Sequence, residues 1–270
     1  MTSRLLIIDP QNDFCDIPGA ALPVPGADAD MRRLAAFMAD ARYQLSDLIV
    51  TLDSHASIGI ERTTFWLDQD LEEAAAFSLI TEADVREGKY RPRDAELIPT
   101  VLAYLHELER QGRYRLMVWP VHCVVGTWGH NLHAKIAEEV AAWESAWMRS
   151  AYRALKGMNP MTEQYSAIRA EVPDIEDPST QTNRMLIGRV RPVLEGWLFV
   201  AGEAASHCVA ATVEHLLAAL TQQECSRVVA LRDCMSPVAG FEGQASACFE
   251  RIEQAGGRVV RAGEARSLLV

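Results

Sequence analysis

The sequence predicts a doubly wound α/β fold: a three-layer αβα sandwich of Rossmann-like layout around a mostly parallel six-stranded sheet. Three observations carry this. Short, fully apolar runs recur along the chain, as buried parallel strands do. Helical patterns, with apolar residues three and four apart, lie between them, which is the mark of βαβ units. The chain has 270 residues, 49% hydrophobic and 23% charged, enough for one domain with a sizeable core. We therefore expect a single domain over 1–270 with an insertion at about 62–115.

In order, Leu5-Leu6-Ile7-Ile8 runs into Asp9-Pro10 and predicts the first strand. Ala27–Tyr43 follows as a helix with Met31, Leu34, Ala35 and Met38 on one face. Asp47–Thr51 (DLIVT) is the second strand. Ala95–Glu109 carries Leu97, Val101, Leu102, Leu105 and Leu108 at helical spacing, and Arg115–Val118 (RLMV) reads as the third strand. Trp197–Val200, Val228–Leu231 and Arg258–Val260 complete the six. His207–Leu220 and Glu242–Ala255 are the helices between these last three, the second stopping at Gly256-Gly257. Glu171–Thr180, rich in Pro and Asp, reads as a surface loop.

Two connections are longer than usual. One, from His55 to Trp119, has its own helix and a polar patch at Thr81–Asp94. The other, from Thr127 to Lys156, holds the Trp-rich stretch AAWESAWMRSAY. Long loops at the carboxyl edge of a sheet act as lids or oligomer contacts. The first carries Phe65, Trp66 and Phe77, each costing roughly 1.5–3 kcal/mol if left in water. We expect this insertion to narrow substrate access and to contribute to a homo-oligomer interface. The alternative is a satellite packed on its own chain.

Acidic residues outnumber basic ones 37 to 26, giving a net charge of -11 and a pI near 5.1. A nucleic-acid partner is therefore not expected, since such binders show a basic face. No apolar run approaches the ~18 residues of a membrane span, so no membrane partner is expected either. MTSRLLIIDPQNDF has no signal-peptide pattern, and the six scattered cysteines include no CxxC pair. A cytoplasmic location with reduced thiols is the expectation.

In doubly wound sheets, ligands bind beyond the carboxyl ends of the strands. Asp9 follows the first run, Asp53 and His55 the second, Trp119 to His122 the third, and Gly202 to Cys208 the next. Cys208 stands where a strand turns into a helix, a place where free N–H groups and the helix dipole favour a thiolate and an oxyanion. It is a candidate nucleophile; elsewhere a buried structural Cys is the commoner reading. Asp9 is a candidate proton acceptor, or simply a loop cap. Asp53, His55 and His122 offer one carboxylate and two imidazoles, a set suited to Zn²⁺, with Fe²⁺ and Mn²⁺ as alternatives. Each His alone would more often be a hydrogen-bonded loop residue. Glu61 is a candidate extra acid, and Cys123 adjoins a candidate ligand. Lys156, after Ala154-Leu155, would stabilise a thiolate or oxyanion if buried; most lysines are solvated.

Taken together, LLIIDPQNDF, GAALPVPGA, VTLDSH, WPVHCVVGTWG, KGMNPMTEQYSA and AGEAASHCVAATV resemble the nicotinamidase branch of the isochorismatase-like cysteine hydrolases. They come in the family's order and span most of the chain. The resemblance implies a triad of Asp9, Lys156 and Cys208, and a single divalent metal on Asp53, His55 and His122. It implies a cis peptide before Ala204, an oxyanion hole from the N–H groups of Ala204 and Cys208, and a ring pocket lined by Phe14, Trp119 and Tyr165. Two positions depart from the pattern: Glu203 replaces a small aliphatic residue, and His207 often a Tyr. The insertion is also longer than in compact members.

The leading expectation is a metal-containing cysteine amidohydrolase acting through a thioester. The implied partner is a small-molecule amide, nicotinamide first, with pyrazinamide or an N-carbamoyl compound as alternatives. Isochorismatase-type vinyl-ether hydrolysis competes, but that branch usually lacks the nucleophile that Cys208 supplies. A non-catalytic metal-binding member of the fold also competes, and the intact Asp9, Lys156 and Cys208 set argues against it.

Overall fold

The computed structural model describes residues 3–193 and 195–269. In chain order its elements are β1 (Ser3–Ile8), α1 (Ala27–Ala41), β2 (Leu45–Asp53), β3 (Trp66–Asp68), β4 (Leu79–Ile80), α2 (Glu82–Arg86), β5 (Tyr90–Pro92), α3 (Ile98–Gln111), β6 (Leu116–Met117) and α4 (Ala134–Trp147). They continue with β7 (Tyr152–Lys156), α5 (Arg184–Val190), β8 (Leu198–Gly202), α6 (Cys208–Ala219), α7 (Gln222–Cys225), β9 (Val228–Leu231), α8 (Glu242–Gln254), β10 (Arg258–Val260) and α9 (Ala262–Ala265).

β1 is apolar on both faces and lies in the middle of a six-stranded sheet of order β10-β9-β8-β1-β2-β7, every pair parallel. Two helix groups flank it, α1 with α4 and α9, and α6 with α8. The chain runs outward from β1 to β2 and β7, then restarts beside β1 with β8. That reversal is a topological switch point, and it places a crevice over the carboxyl ends of β1, β2 and β8. Gly202, at the end of β8, has φ +124°, and a Cβ there would lie 1.9 Å from the Ile8 carbonyl oxygen. Only glycine allows these two strand ends to approach so closely.

One expected strand is elsewhere. Arg115–Val118 does not join the central sheet; Leu116–Met117 pairs antiparallel with Leu79–Ile80. The sixth strand is β7, paired with β2 from Ile49↔Tyr152 to Asp53↔Lys156. β7 is an edge strand that alternates buried and solvent-facing residues, with Leu155 exposed, so it lacks the fully apolar signature. The apolar run before Trp119 instead feeds a second, smaller core. There Leu116 and Val118 pack with Ile60, Phe65, Trp66 and residues of α3. The insertion thus buries Phe65 and Trp66 within its own chain, while half-exposed Phe77 sets its ring 5.8 Å from that of Trp119. The Trp-rich stretch forms α4, anchored by Trp143 Nε1 to the Leu45 carbonyl at 2.8 Å and Trp147 Nε1 to the Arg42 carbonyl at 2.8 Å. Among the described residues, no helix is long and apolar enough to cross a membrane.

Candidate active site

Asp9 leaves β1 in a left-handed turn (φ 45°) that points its carboxylate into the crevice. Thr51 of β2 fixes it: the Asp9 N–H donates to Thr51 Oγ1 at 3.0 Å, and that hydroxyl donates to Asp9 Oδ1 at 2.5 Å. The register Asp53↔Lys156 carries the lysine to the same edge. Its fully enclosed Nζ lies 3.0 Å from Asp9 Oδ2, 2.7 Å from Asp53 Oδ1 and 3.5 Å from Cys208 Sγ, and donates to the Gln164 carbonyl at 3.1 Å. Cys208 is the first residue of α6. The three candidate catalytic side chains therefore meet around one ammonium.

The electrostatics set the protons. Burial raises Asp9, and Asp53 adds to the rise, while Lys156 and Thr51 oppose it; the net is a more basic carboxylate. Burial pushes the Cys208 thiol up as well, with Asp9 and Asp53 adding, while Lys156 draws it down. The free thiol thus holds its proton within reach of a carboxylate of raised proton affinity. A helix N-terminus alone does not leave it as a thiolate. Lys156 itself is destabilised by burial but held well above its ordinary value by Asp53, Asp9 and Cys208, so it stays charged.

Glu203-Ala204 is a cis peptide, as the resemblance implied. Among the described residues, neither the Ala204 nor the Cys208 N–H has a hydrogen-bond acceptor. The neighbouring donors do: Ala205 N–H bonds the Ser236 carbonyl at 2.8 Å, and Val209 N–H bonds the Ala204 carbonyl at 3.2 Å. Beside Cys208 lies a cleft whose walls include Phe14, Trp119 and Tyr165. Trp119 Nε1 donates to the Tyr165 hydroxyl at 3.1 Å and to Glu163 Oε2 at 3.2 Å.

On the far side of Asp53, its Oδ2 lies 2.8 Å from His55 Nε2 and 3.3 Å from His122 Nε2. One donor atom from each of the three lies within 4.8 Å of the others, a spacing that can hold a metal ion. His55 Nδ1 faces Glu61 Oε1 at 3.3 Å, and His122 Nδ1 lies 2.7 Å from the Pro120 carbonyl and 3.0 Å from Arg62 Nη1. Both Nε2 atoms turn toward Asp53 Oδ2. Burial and the nearby Arg62 keep His122 neutral, its value lowered to about 4. Burial opposes the charge on Asp53, but His55, Lys156 and His122 hold its carboxyl well below the usual range. Two imidazoles with one carboxylate are a fitting donor set for a borderline divalent ion. Gly157 makes room for it: at φ +76°, a Cβ there would lie 2.5 Å from His55 Cε1.

Asp9, Asp53, His55, His122, Lys156, Ala204, Cys208, Phe14, Trp119 and Tyr165 are thus gathered around one crevice, with Glu61 and Cys123 outside its walls. Glu61 supports His55 from behind and is itself held by Arg62 Nε at 2.8 Å. Cys123 is buried, donating its N–H to Asp13 Oδ2 at 2.7 Å. Three residues were not foreseen. Arg62, fully buried, donates Nη1 to the His122 carbonyl at 2.9 Å. Gln164 presents its carbonyl to Lys156. Glu163 lines the cleft, its carboxyl pushed up to about 8 by burial and by Glu61 and Asp53. The matching segment TEQYSA contains these last two but nominated neither, since acids and amides in a loop carry no spacing signal.

No family model matches the chain. A curated relative, the nicotinamidase of Saccharomyces cerevisiae, is 26% identical over 136 residues. That match spans about half the length of this chain and half of the relative. The solved structure of the yeast nicotinamidase superimposes with a TM-score of 0.65 at 21% identity, covering 96% of this chain and 99% of that one. An Acinetobacter baumanii nicotinamidase/pyrazinamidase gives a TM-score of 0.63 at 18% identity over 97% of both chains. The pyrazinamidase of Pyrococcus horikoshii in complex with zinc gives 0.53 at 19% identity, covering 97% and 99%. The chain therefore has the fold of these nicotinamidases and pyrazinamidases.

Proposed function

We propose that the protein is a metal-containing cysteine amidohydrolase that cleaves a small aromatic amide, nicotinamide first, to the acid and ammonia. The observation that carries this is the meeting of Asp9, Cys208 and the Lys156 ammonium in one buried cluster. Asp9 takes the thiol proton, and Sγ attacks the amide carbonyl. Lys156 offsets the negative charge that appears on sulfur. The unengaged Ala204 and Cys208 N–H groups receive the oxyanion of the tetrahedral intermediate. As the C–N bond breaks, Asp9 returns the proton to the departing nitrogen, and ammonia leaves a thioester. Asp9 then draws a proton from water, which adds to the thioester carbonyl. The intermediate collapses to the acid, and the proton goes back to sulfur.

Phe14, Trp119 and Tyr165 hold the ring and exclude water from the thioester. Asp53, His55 and His122 would hold the ion, Zn²⁺ first, with Fe²⁺ and Mn²⁺ as alternatives. Bound there, a divalent ion supplies a Lewis-acidic anchor for a ring nitrogen or a water of lowered pKa. The relatives named for nicotinamidase and pyrazinamidase activity support this substrate class. The test is ammonia release from nicotinamide, pyrazinamide and N-carbamoyl compounds, with and without chelator. Turnover of an aromatic amide that chelation abolishes is expected. Absence of ammonia from every amide would overturn the reading.

A further inference from the structure

Glu203 ends the strand side of the oxyanion loop, one residue before Ala204, and the reaction above gives it no task. It is fully buried. Its Oε2 accepts the Ser236 N–H at 3.1 Å, and its Oε1 has no partner among the described residues. Across from it on α1 is Asp30, also buried. Asp30 Oδ2 accepts the Ser236 hydroxyl at 2.5 Å, and its Oδ1 pairs with Arg33. Two adjacent buried carboxylates do not both stay charged. Asp30 accepts from both Arg33 and the Ser236 hydroxyl, whereas Glu203 accepts only a backbone N–H, so the proton belongs on Glu203. Burial and then Asp30 push the Glu203 carboxyl well above its ordinary range, and Asp16 adds to this. The other titratable neighbours, the Cys15 and Cys234 thiols, are pushed up by burial and stay neutral. A protonated Glu203 has an O–H to give Asp30, and the unpartnered oxygen is then accounted for.

The same Ser236–Val238 segment grips the loop twice more. Ala205 N–H donates to the Ser236 carbonyl at 2.8 Å, and Val238 N–H donates to Ser206 Oγ at 3.0 Å. Val238 also lines the substrate cleft. We propose that Glu203 is a positioning residue: as a neutral acid bridging Asp30 and Ser236, it clamps residues 203–208 onto Ser236–Val238, holds the Ala204 and Cys208 N–H groups in place, and releases them when it ionises. The catalytic consequence rests on the hydrolase reading; the clamp does not.

The test compares wild type, Glu203→Gln and Glu203→Leu by amide hydrogen exchange at residues 203–209 and 236–238, over a pH series rising from about 6 to the alkaline limit of the fold, on metal-loaded protein. Gln accepts from Ser236 and donates to Asp30 at every pH. Its loop is expected to match wild type at the acid end. Wild type then exchanges increasingly faster than Glu203→Gln as pH rises, reaching about ten-fold, and kcat/KM for the amide falls in step. Glu203→Leu, which can do neither, exchanges faster throughout. Glu203→Gln behaving like Glu203→Leu, or a wild-type to Gln ratio that stays flat with pH, would overturn the clamp. If no amide is hydrolysed while the exchange pattern appears, the clamp stands and the hydrolase reading falls. If amides are hydrolysed without the pattern, the reverse holds.

Discussion

Lys156→Met removes the charge at the centre of the site while keeping a side chain of similar reach. In the native protein the ammonium lies 3.0 Å from Asp9 Oδ2 and 2.7 Å from Asp53 Oδ1, with all three groups buried. Without it, two carboxylates share an enclosed space with no cation. Removing one partner of a buried ion pair costs about 3–5 kcal/mol. The pH dependence gives the sign. Asp53 is held below its unfolded value, so its contribution is present above about pH 3.9 and is lost as pH falls through the folded value. Lys156 is held above its ordinary value, so its contribution is complete at neutral pH. The gap between wild type and variant should therefore be about 3–5 kcal/mol near neutrality and should narrow below about pH 4. Urea unfolding at both pH values, with matching m-values, measures it. The variant should also lose about 10²–10³ in kcat as the thiolate loses its counter-charge. A neutral-pH gap under about 1 kcal/mol, or a gap that does not change with pH, would refute the reasoning.

Gly157→Ala should cost about 1–2 kcal/mol from its left-handed φ alone, and its methyl should displace His55; metal analysis after dialysis should show reduced occupancy alongside the lower Tm. His122→Ala removes one of three ligands and should reduce occupancy from about one ion per chain to well below half, checked by elemental analysis. Glu163, raised to about 8, binds a proton in the folded state that the unfolded chain has released, so wild-type stability should fall as pH rises from about 5 to about 8. Glu163→Gln should flatten that slope in a Tm-against-pH series, and an unchanged slope would show that Glu163 is ionised throughout.

The sheet centre and much of the site were legible because the physics there is local. A strand buried on both faces must be apolar, so β1, β8 and β9 announce themselves, and the residues just past them fall at the binding edge. Asp9, Asp53 and Cys208 were found this way. Lys156 was not, because β7 is an edge strand whose alternation leaves Leu155 exposed. It was nominated by resemblance, and the structure brings it to the other three. The opposite error arose at Arg115–Val118, where an apolar run meant a second core and not the central sheet. Periodicity cannot tell which core an apolar segment serves. Arg62 reaches His122, Glu163 meets Trp119 and Glu203 meets Ser236, each far away in sequence, so nothing in their spacing reveals these pairings.

The central claim is that an amide is opened through a covalent bond to Cys208. The most direct measurement is acid quenching of enzyme turning over nicotinamide, followed by peptide mass analysis. The acyl group is expected on the peptide containing Cys208, and neither the adduct nor ammonia release should survive in Cys208→Ala. Ammonia release that persists in Cys208→Ala, or an acyl group found on another residue, would contradict the account.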